Sequence, residues 1–226
     1  MHTSKKHPSA QQIKVAADAT IFTVKDGQLH VLLIQMKKVP FTGSWAMPGG
    51  LLTDDETSRE TVTRILREQT GVKNAYLEQL ATFDEPKRDT FGRVVSIAYY
   101  ALVPWEHVSL KTTEKYMDVR WWPVAKPPKL AYDHSPMLKA AVERVQAKLE
   151  YTNVAWSLLP VEFTLTNLRE TYEAILGHDI DKRNFIKKVL ALDMLEETGK
   201  REMNASHRPG ALYRFKHREL TFFQIL

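Results

Sequence analysis

Two groups of side chains in this chain have a spacing that suits chemistry. In the first, residues 65, 68 and 69 fall at i, i+3 and i+4, which places them on one face of a helix. Carboxylates at all three would gather the anionic oxygens that a hard cation such as Mg²⁺ requires. The residues present are Ile65, Glu68 and Gln69. Isoleucine has no ligand atom and glutamine offers a neutral carbonyl. Any Mg²⁺ binding is therefore expected to be weak, no metal site is assigned, and activation of water should suffer. Ile65 also shares an amphipathic stripe with Val62, Leu66 and Gln69, so spacing alone reads it equally well as core. Glu60, Asp84, Glu85 or Asp89 could return a carboxylate from elsewhere in the fold.

The second group lies near the C-terminus. Arg183 with Lys187, and Asn184 with Lys188, stand at i, i+4 on the outward side of a helix whose inward side carries Phe185, Val189 and Leu192. Arginine suits guanine, asparagine suits adenine, and lysine neutralises phosphate. Lys182 opens the same helix, and Lys200, Arg201 and Arg208 add positive charge further on. Thr164 and Thr166, at the start of the preceding helix, could donate to phosphates. A solvated basic helix is the plain alternative.

These groups need elements to position them. The chain has 226 residues, 43% hydrophobic and 26% charged, with a net charge of +5, which describes an ordinary globular protein of one or two domains. It has no cysteine, which fits a reducing cytoplasm and removes thiolate metal sites. No apolar run approaches a membrane span. Residues 1–14 read as a flexible polar tail. Strands are expected at 15–24 and 29–36 across an Asp-Gly turn, then near 76–83, 94–103 and 117–122. Helices are expected at 57–69, closed by Gly71, and at 134–149, capped by Asp133. Residues 15–150 thus read as a mixed α/β domain and 150–160 as a connector. Beyond it come a helix behind a Thr164 cap, a short turn, a second helix capped by Asp181, and a hairpin. That is the order of a winged helix-turn-helix, assigned to residues 151–226.

The spacing of Gly50, Glu56, Arg64, Leu66, Glu68, Gly71 and Val72 resembles the Nudix box, Gly-x5-Glu-x7-Arg-Glu-U-x-Glu-Glu-x-Gly-U, where U is bulky and aliphatic. In that family the glutamates hold cations, and the counterparts of Glu56 and Arg64 bridge loop and helix. Here Ile65 and Gln69 replace two of the three glutamates. Further segments, among them Arg88-Asp-Thr-Phe-Gly-Arg, Lys129-Leu-Ala-Tyr-Asp-His, Asp181-Lys-Arg-Asn-Phe and Arg208-Pro-Gly-Ala-Leu-Tyr-Arg-Phe, are similar to the Nudix-related transcriptional regulators. Thr90-Phe91 departs from that branch, where Pro-Arg is expected.

The resemblance implies a Nudix α/β/α sandwich followed by a winged helix, and a repressor of NAD or nicotinate metabolism responding to ADP-ribose or a related phosphorylated sugar. Sister regulators sense pentose-type sugars. In such a pocket Phe41 or Trp45 would stack on a base, Arg64, Arg88 or Arg93 would meet phosphates, and Glu68 and Asp89 would line the site. A homodimer on a near-palindromic operator is expected. An active ADP-ribose pyrophosphatase, a sugar-responsive regulator of pentose catabolism and a protein-interaction module remain as alternatives.

Overall fold

The computed structural model describes residues 12–72, 75–110, 114–203 and 209–223. β1 (Lys14–Lys25) and β2 (Gln28–Met36) form the expected hairpin. Asp26 and Gly27 turn it with φ of 49° and 69°, the left-handed pair that matches strand twist. β1 also pairs with β4 (Gly49–Leu51) and runs parallel to β6 (Val94–Leu102). β2 pairs with β3 (Trp45–Ala46) and β7 (Tyr116–Pro123), and β5 (Tyr76–Phe83) closes the far edge on β6. The result is one mixed seven-stranded sheet.

The sheet alternates its side chains between two cores, as a pleated strand must. Ala17, Ala19 and Ile21 of β1 join Val62 and Leu66 of α1 (Ser58–Thr70) on one face. Phe22 joins Met137, Leu138, Ala141, Val145 and Leu149 of α2 (His134–Tyr151) on the other. Thr57 and Glu60 start α1 with a reciprocal capping box, and Gly71 ends it at φ 73°. The start of α2 differs from expectation. Asp133 stands at the N-cap but makes no capping bond. The third helical position is Pro136, which has no N–H to offer. The Asp133 carboxylate instead receives the guanidinium of Arg88.

Residues 150–160 are not an open connector. A 3₁₀ turn (Val154–Ser157) follows α2, and Val154, Ala155, Leu158 and Leu159 are buried in the same apolar cluster as Met137 and Phe215. Polar groups fix the segment too. Asn153 bonds the backbone of Glu219 and Thr221, and Arg218 donates to the carbonyls of Trp156, Leu159 and Pro160. Beyond it lie β8 (Phe163–Thr164), α3 (Leu165–Leu176), α4 (Lys182–Ala191), β9 (Leu195–Arg201) and β10 (Ala211–Phe215), with β10 between β8 and β9. Gly177 at φ 77° ends α3, the Asp181 carboxylate caps α4 through the Asn184 N–H, and Phe185 packs edge-on against Tyr172 at 5.1 Å. This is a winged helix. Among the described residues no helix is long and apolar enough to cross a membrane.

An unbroken apolar cluster joining the two halves should make them unfold together. A single cooperative thermal transition is expected, and Leu158→Ala should lower stability by about 2–5 kcal/mol in chemical denaturation. Two well-separated transitions in the unaltered protein would show that the halves fold independently.

Candidate functional site

A cavity of about 390 Å³ opens beside the N-terminus of α2. Period-2 alternation brings Lys14, Ala16 and Asp18 of β1 to it. Gly49 faces Asp18 so closely that a Cβ there would lie 1.8 Å from the Asp18 Oδ1, so only glycine fits. The loop between β5 and β6 supplies Arg88, Asp89 and Phe91, the strand β7 supplies Tyr116, and the turn into α2 supplies Tyr132 and His134.

The floor of this cavity is charged and buried. The Arg88 side chain is only 3% exposed. It donates two hydrogen bonds to Asp133, at 2.9 and 2.7 Å, and lies 3.5 Å from Asp18. Burial works against its charge, and the bonds it donates to Asp133 and the field of Asp18 outweigh this and hold its pKa above the ordinary value. The Ser96 hydroxyl donates to Asp18. His134 Nδ1 accepts the Met47 N–H at 2.9 Å, which leaves the ring proton on Nε2. Burial lowers the His134 pKa, so the ring is neutral.

The three glutamates of the Gly50–Val72 box each lie against a neighbour in the chain. Glu56 accepts two bonds from Arg64, at 2.7 and 2.8 Å, and those bonds bring its pKa down to about 2. Glu68 lies 3.7 Å from the same guanidinium, and Glu60 is taken by the Thr57 cap, whose backbone bond lowers its pKa. Ile65 and Gln69 are 5% and 2% exposed and face inward, and the Gln69 Oε1 has no partner among the described residues. Among the described residues no three His, Asp or Glu side chains converge at ligand spacing. This donor set does not fit a hard divalent cation.

Of the expected pocket residues, Arg88 and Asp89 line the cavity, together with Gly50 of the box, whereas Glu68 and the other sequence candidates stand apart from it. Phe41 packs against Tyr132 at 4.3 Å, and Trp45 meets Trp122 edge-on at 5.2 Å; neither lines the cavity. Arg64 is spent on Glu56, and Arg93 donates to the Asp84 carbonyl. The expectation missed Asp18, Tyr116, Tyr132 and His134. An aspartate inside the apolar run of β1 was the available signal, since a strand buries an acid only where something answers it.

A second surface lies on α4. Lys182, Arg183, Asn184, Lys187 and Lys188 are all exposed. None of these four cations forms an ion pair among the described residues. Thr166 is exposed, but Thr164 is buried and its hydroxyl is engaged in a capping box with Asn167, so it is not a phosphate donor. On the wing, Lys200 pairs with Glu162 at 2.8 Å and Arg201 donates to the Pro209 carbonyl. Arg208 lies outside the described residues.

Residues 14–141 match the NUDIX domain family, and residues 155–215 match the NrtR DNA-binding winged helix domain. The chain is 36% identical over 220 residues to the ADPR responsive transcriptional repressor NtrR of Acinetobacter baylyi, covering 92% of this chain and 84% of that protein. It superposes on Shewanella oneidensis NrtR complexed with a 27mer DNA with a TM-score of 0.80 at 36% identity, covering 89% of this chain and 93% of that one. The NUDIX domain of the same Shewanella protein, complexed with ADP ribose, matches with a TM-score of 0.55 at 37% identity over 62% of this chain and 94% of that one.

Two outcomes follow from the buried positions. Ile65→Glu places an uncompensated carboxylate in the core and should cost about 3–5 kcal/mol by chemical denaturation; a cost near zero would mean that the position opens to solvent. His134 is held neutral, so its contribution to stability is complete above the unfolded pKa of about 6.5 and is lost as pH falls below it. Between pH 6.5 and 5 stability should fall by up to about 1.4 kcal/mol per pH unit from this group. The fall should be shallower in His134→Gln, and equal slopes in the two proteins would count against a neutral buried His134.

Proposed function

Because the chain belongs to the family in which a NUDIX domain precedes an NrtR-type DNA-binding winged helix, we propose that it is a transcriptional repressor of NAD or nicotinate genes that responds to ADP-ribose. It works in the cytoplasm as a homodimer on a near-palindromic operator, without a metal and without hydrolysing its effector. One contrast carries this reading. The cations of α4 are exposed and form no ion pair among the described residues, while the glutamates of the box lie against Arg64 and Thr57. The first arrangement suits a polyanionic duplex, since free lysines and arginines release counterions on binding. The second leaves too few free anionic oxygens to hold a cation against a pyrophosphate. The cavity beside α2 is the effector site in this reading, with Arg88 facing the anionic part of the ligand and Asp89 and Gly50 along the wall.

The test is a titration of the complex with an operator selected from random duplexes. ADP-ribose should weaken DNA binding by about 5–150-fold, with DNA weakening ADP-ribose binding by the same factor. No AMP should appear with Mg²⁺ or Mn²⁺. Arg183→Ala and Asn184→Ala should each cost about 1–3 kcal/mol and relax base preference, while Lys187→Ala should reduce the salt slope by about one. Efficient AMP release, abolished by Glu68→Gln, would favour a pyrophosphatase instead. Loss of DNA affinity with a pentose and none with ADP-ribose would keep the switch and change the effector.

A further inference from the structure

Phe41 and Trp45 give their rings to Tyr132 and Trp122, so neither meets the flat end of a ligand in the cavity. Another ring is placed to do so. Phe91 lines the cavity and is 61% exposed. It pairs with no other aromatic side chain among the described residues. A single exposed phenylalanine on a protein surface needs no explanation. This one differs in where it stands and in how its backbone is held.

The β5–β6 loop climbs from the floor of the cavity to its rim. Arg88 is buried at the floor, and Phe91 is exposed at the rim. They are three positions apart in the chain, so their Cα atoms lie at most about 11 Å apart, a distance that one nucleotide spans. The loop is closed by its own bonds. The Arg88 N–H donates to the Glu85 carbonyl at 3.0 Å, the Phe91 N–H donates to the Asp89 carboxylate at 2.8 Å, and Arg93 donates to the Asp84 carbonyl. A ligand therefore meets the ring without having to order the backbone that carries it. Position 91 is also where the sequence departs from the Nudix-related regulators, with Thr90-Phe91 in place of Pro-Arg. A neutral ring stands where a guanidinium is expected.

A second hollow, of about 570 Å³, adjoins the rim and shares Met36, Phe91 and Tyr132 with the cavity. Lys37, Lys38 and Val39 wall its far side, and no acid lines it among the described residues. Lys37 reaches only the Glu114 carbonyl, and neither lysine forms an ion pair among the described residues. Apolar walls with a few placed charges suit an organic ligand. The positive field favours one that carries phosphate over an uncharged aromatic molecule.

We propose that Phe91 is the base-binding residue of the effector site: a nucleotide whose phosphate faces Arg88 lays its aromatic base on the Phe91 ring, where the two hollows join. This deepens the reading of the cavity as the effector site and rests on it. The contact selects nucleotides over sugar phosphates, because a base has a flat π face and a sugar has none. Arg88 cannot make that distinction, since both kinds of ligand carry phosphate.

The test is calorimetry on the full-length protein with ADP-ribose and with ribose 5-phosphate, which keeps a phosphate and lacks a base. Phe91→Ala should weaken ADP-ribose binding at least about fivefold, the lower bound for one base stacked on an aromatic ring. It should leave ribose 5-phosphate binding unchanged. Phe91→Trp should restore the affinity for ADP-ribose, and the stacked base should quench the introduced indole, whereas ribose 5-phosphate should not. Phe91→Leu gives apolar cover without a π face and should bind ADP-ribose less tightly than the tryptophan variant. Position 91 is exposed, so these variants should fold as the unaltered protein does. Unchanged ADP-ribose affinity in Phe91→Ala overturns the inference. So does an equal loss for both ligands, or a leucine variant as tight as the tryptophan one. Those outcomes leave ADP-ribose bound and the effector reading intact. If ADP-ribose does not bind the unaltered protein, the effector reading fails and takes this inference with it.

Discussion

A charge buried away from water must find an opposite charge, and that constraint pins α2 at both ends. Arg88 and Lys148 are the buried arginine and lysine side chains among the described residues. Arg88 meets Asp133 at the N-terminus of the helix, and Lys148, near its C-terminus, meets Glu78 on the sheet edge. Burial works against charge on Glu78, and the bonds from Lys148 and Tyr76 outweigh it and keep its pKa low. Removing one partner of such a pair leaves the other charge uncompensated, which is far more costly than an exposed ion pair is worth. The helix between the anchors is held at both ends, and it joins the cavity at one end to the winged helix at the other.

The helix that carries the box shows the same backbone put to a different use. Its Gly71 terminus, Thr57 cap and Glu56–Arg64 bridge are intact. These features hold loop to helix and need no metal. The positions that would project ligands into a metal site instead carry Ile65 and Gln69, which turn inward with Val62 and Leu66.

Much of this architecture is legible in the chain because it is local. The Asp-Gly hairpin, the Gly71 stop and the Asp181 cap each follow from a few neighbouring residues, and the structure has them all. The site was less legible because its contacts are distant. Arg88 and Asp133 are 45 residues apart, and nothing near Asp133 but the missing N–H of Pro136 hints that its carboxylate is free for another partner. Phe41 and Trp45 have the right chemistry for stacking, yet they spend it on Tyr132 and Trp122. Thr164 could cap or could bind phosphate, and the local bond to Asn167 wins because a residue three positions away is always within reach. The burial of residues 150–160 was hidden because their apolar residues follow no helical or strand period.

The two halves meet anions under opposite conditions, and this difference separates binding from switching. The cations of α4 are exposed and pair with no acid among the described residues, so a phosphate backbone that arrives there displaces water and counterions. Nothing in the protein needs to change partners. The cation of the cavity is already bonded to a carboxylate through two of its nitrogens, so an anion that arrives there shares a charge that is already partly answered. Such sharing returns less net affinity than a free cation would give. A ligand shifts an equilibrium only through a difference in how it meets the two states, and a guanidinium that touches both the cavity and the start of α2 ties the ligand to the position of that helix. The weaker electrostatic site is therefore the one suited to regulation, and the stronger, freer one is suited to holding DNA.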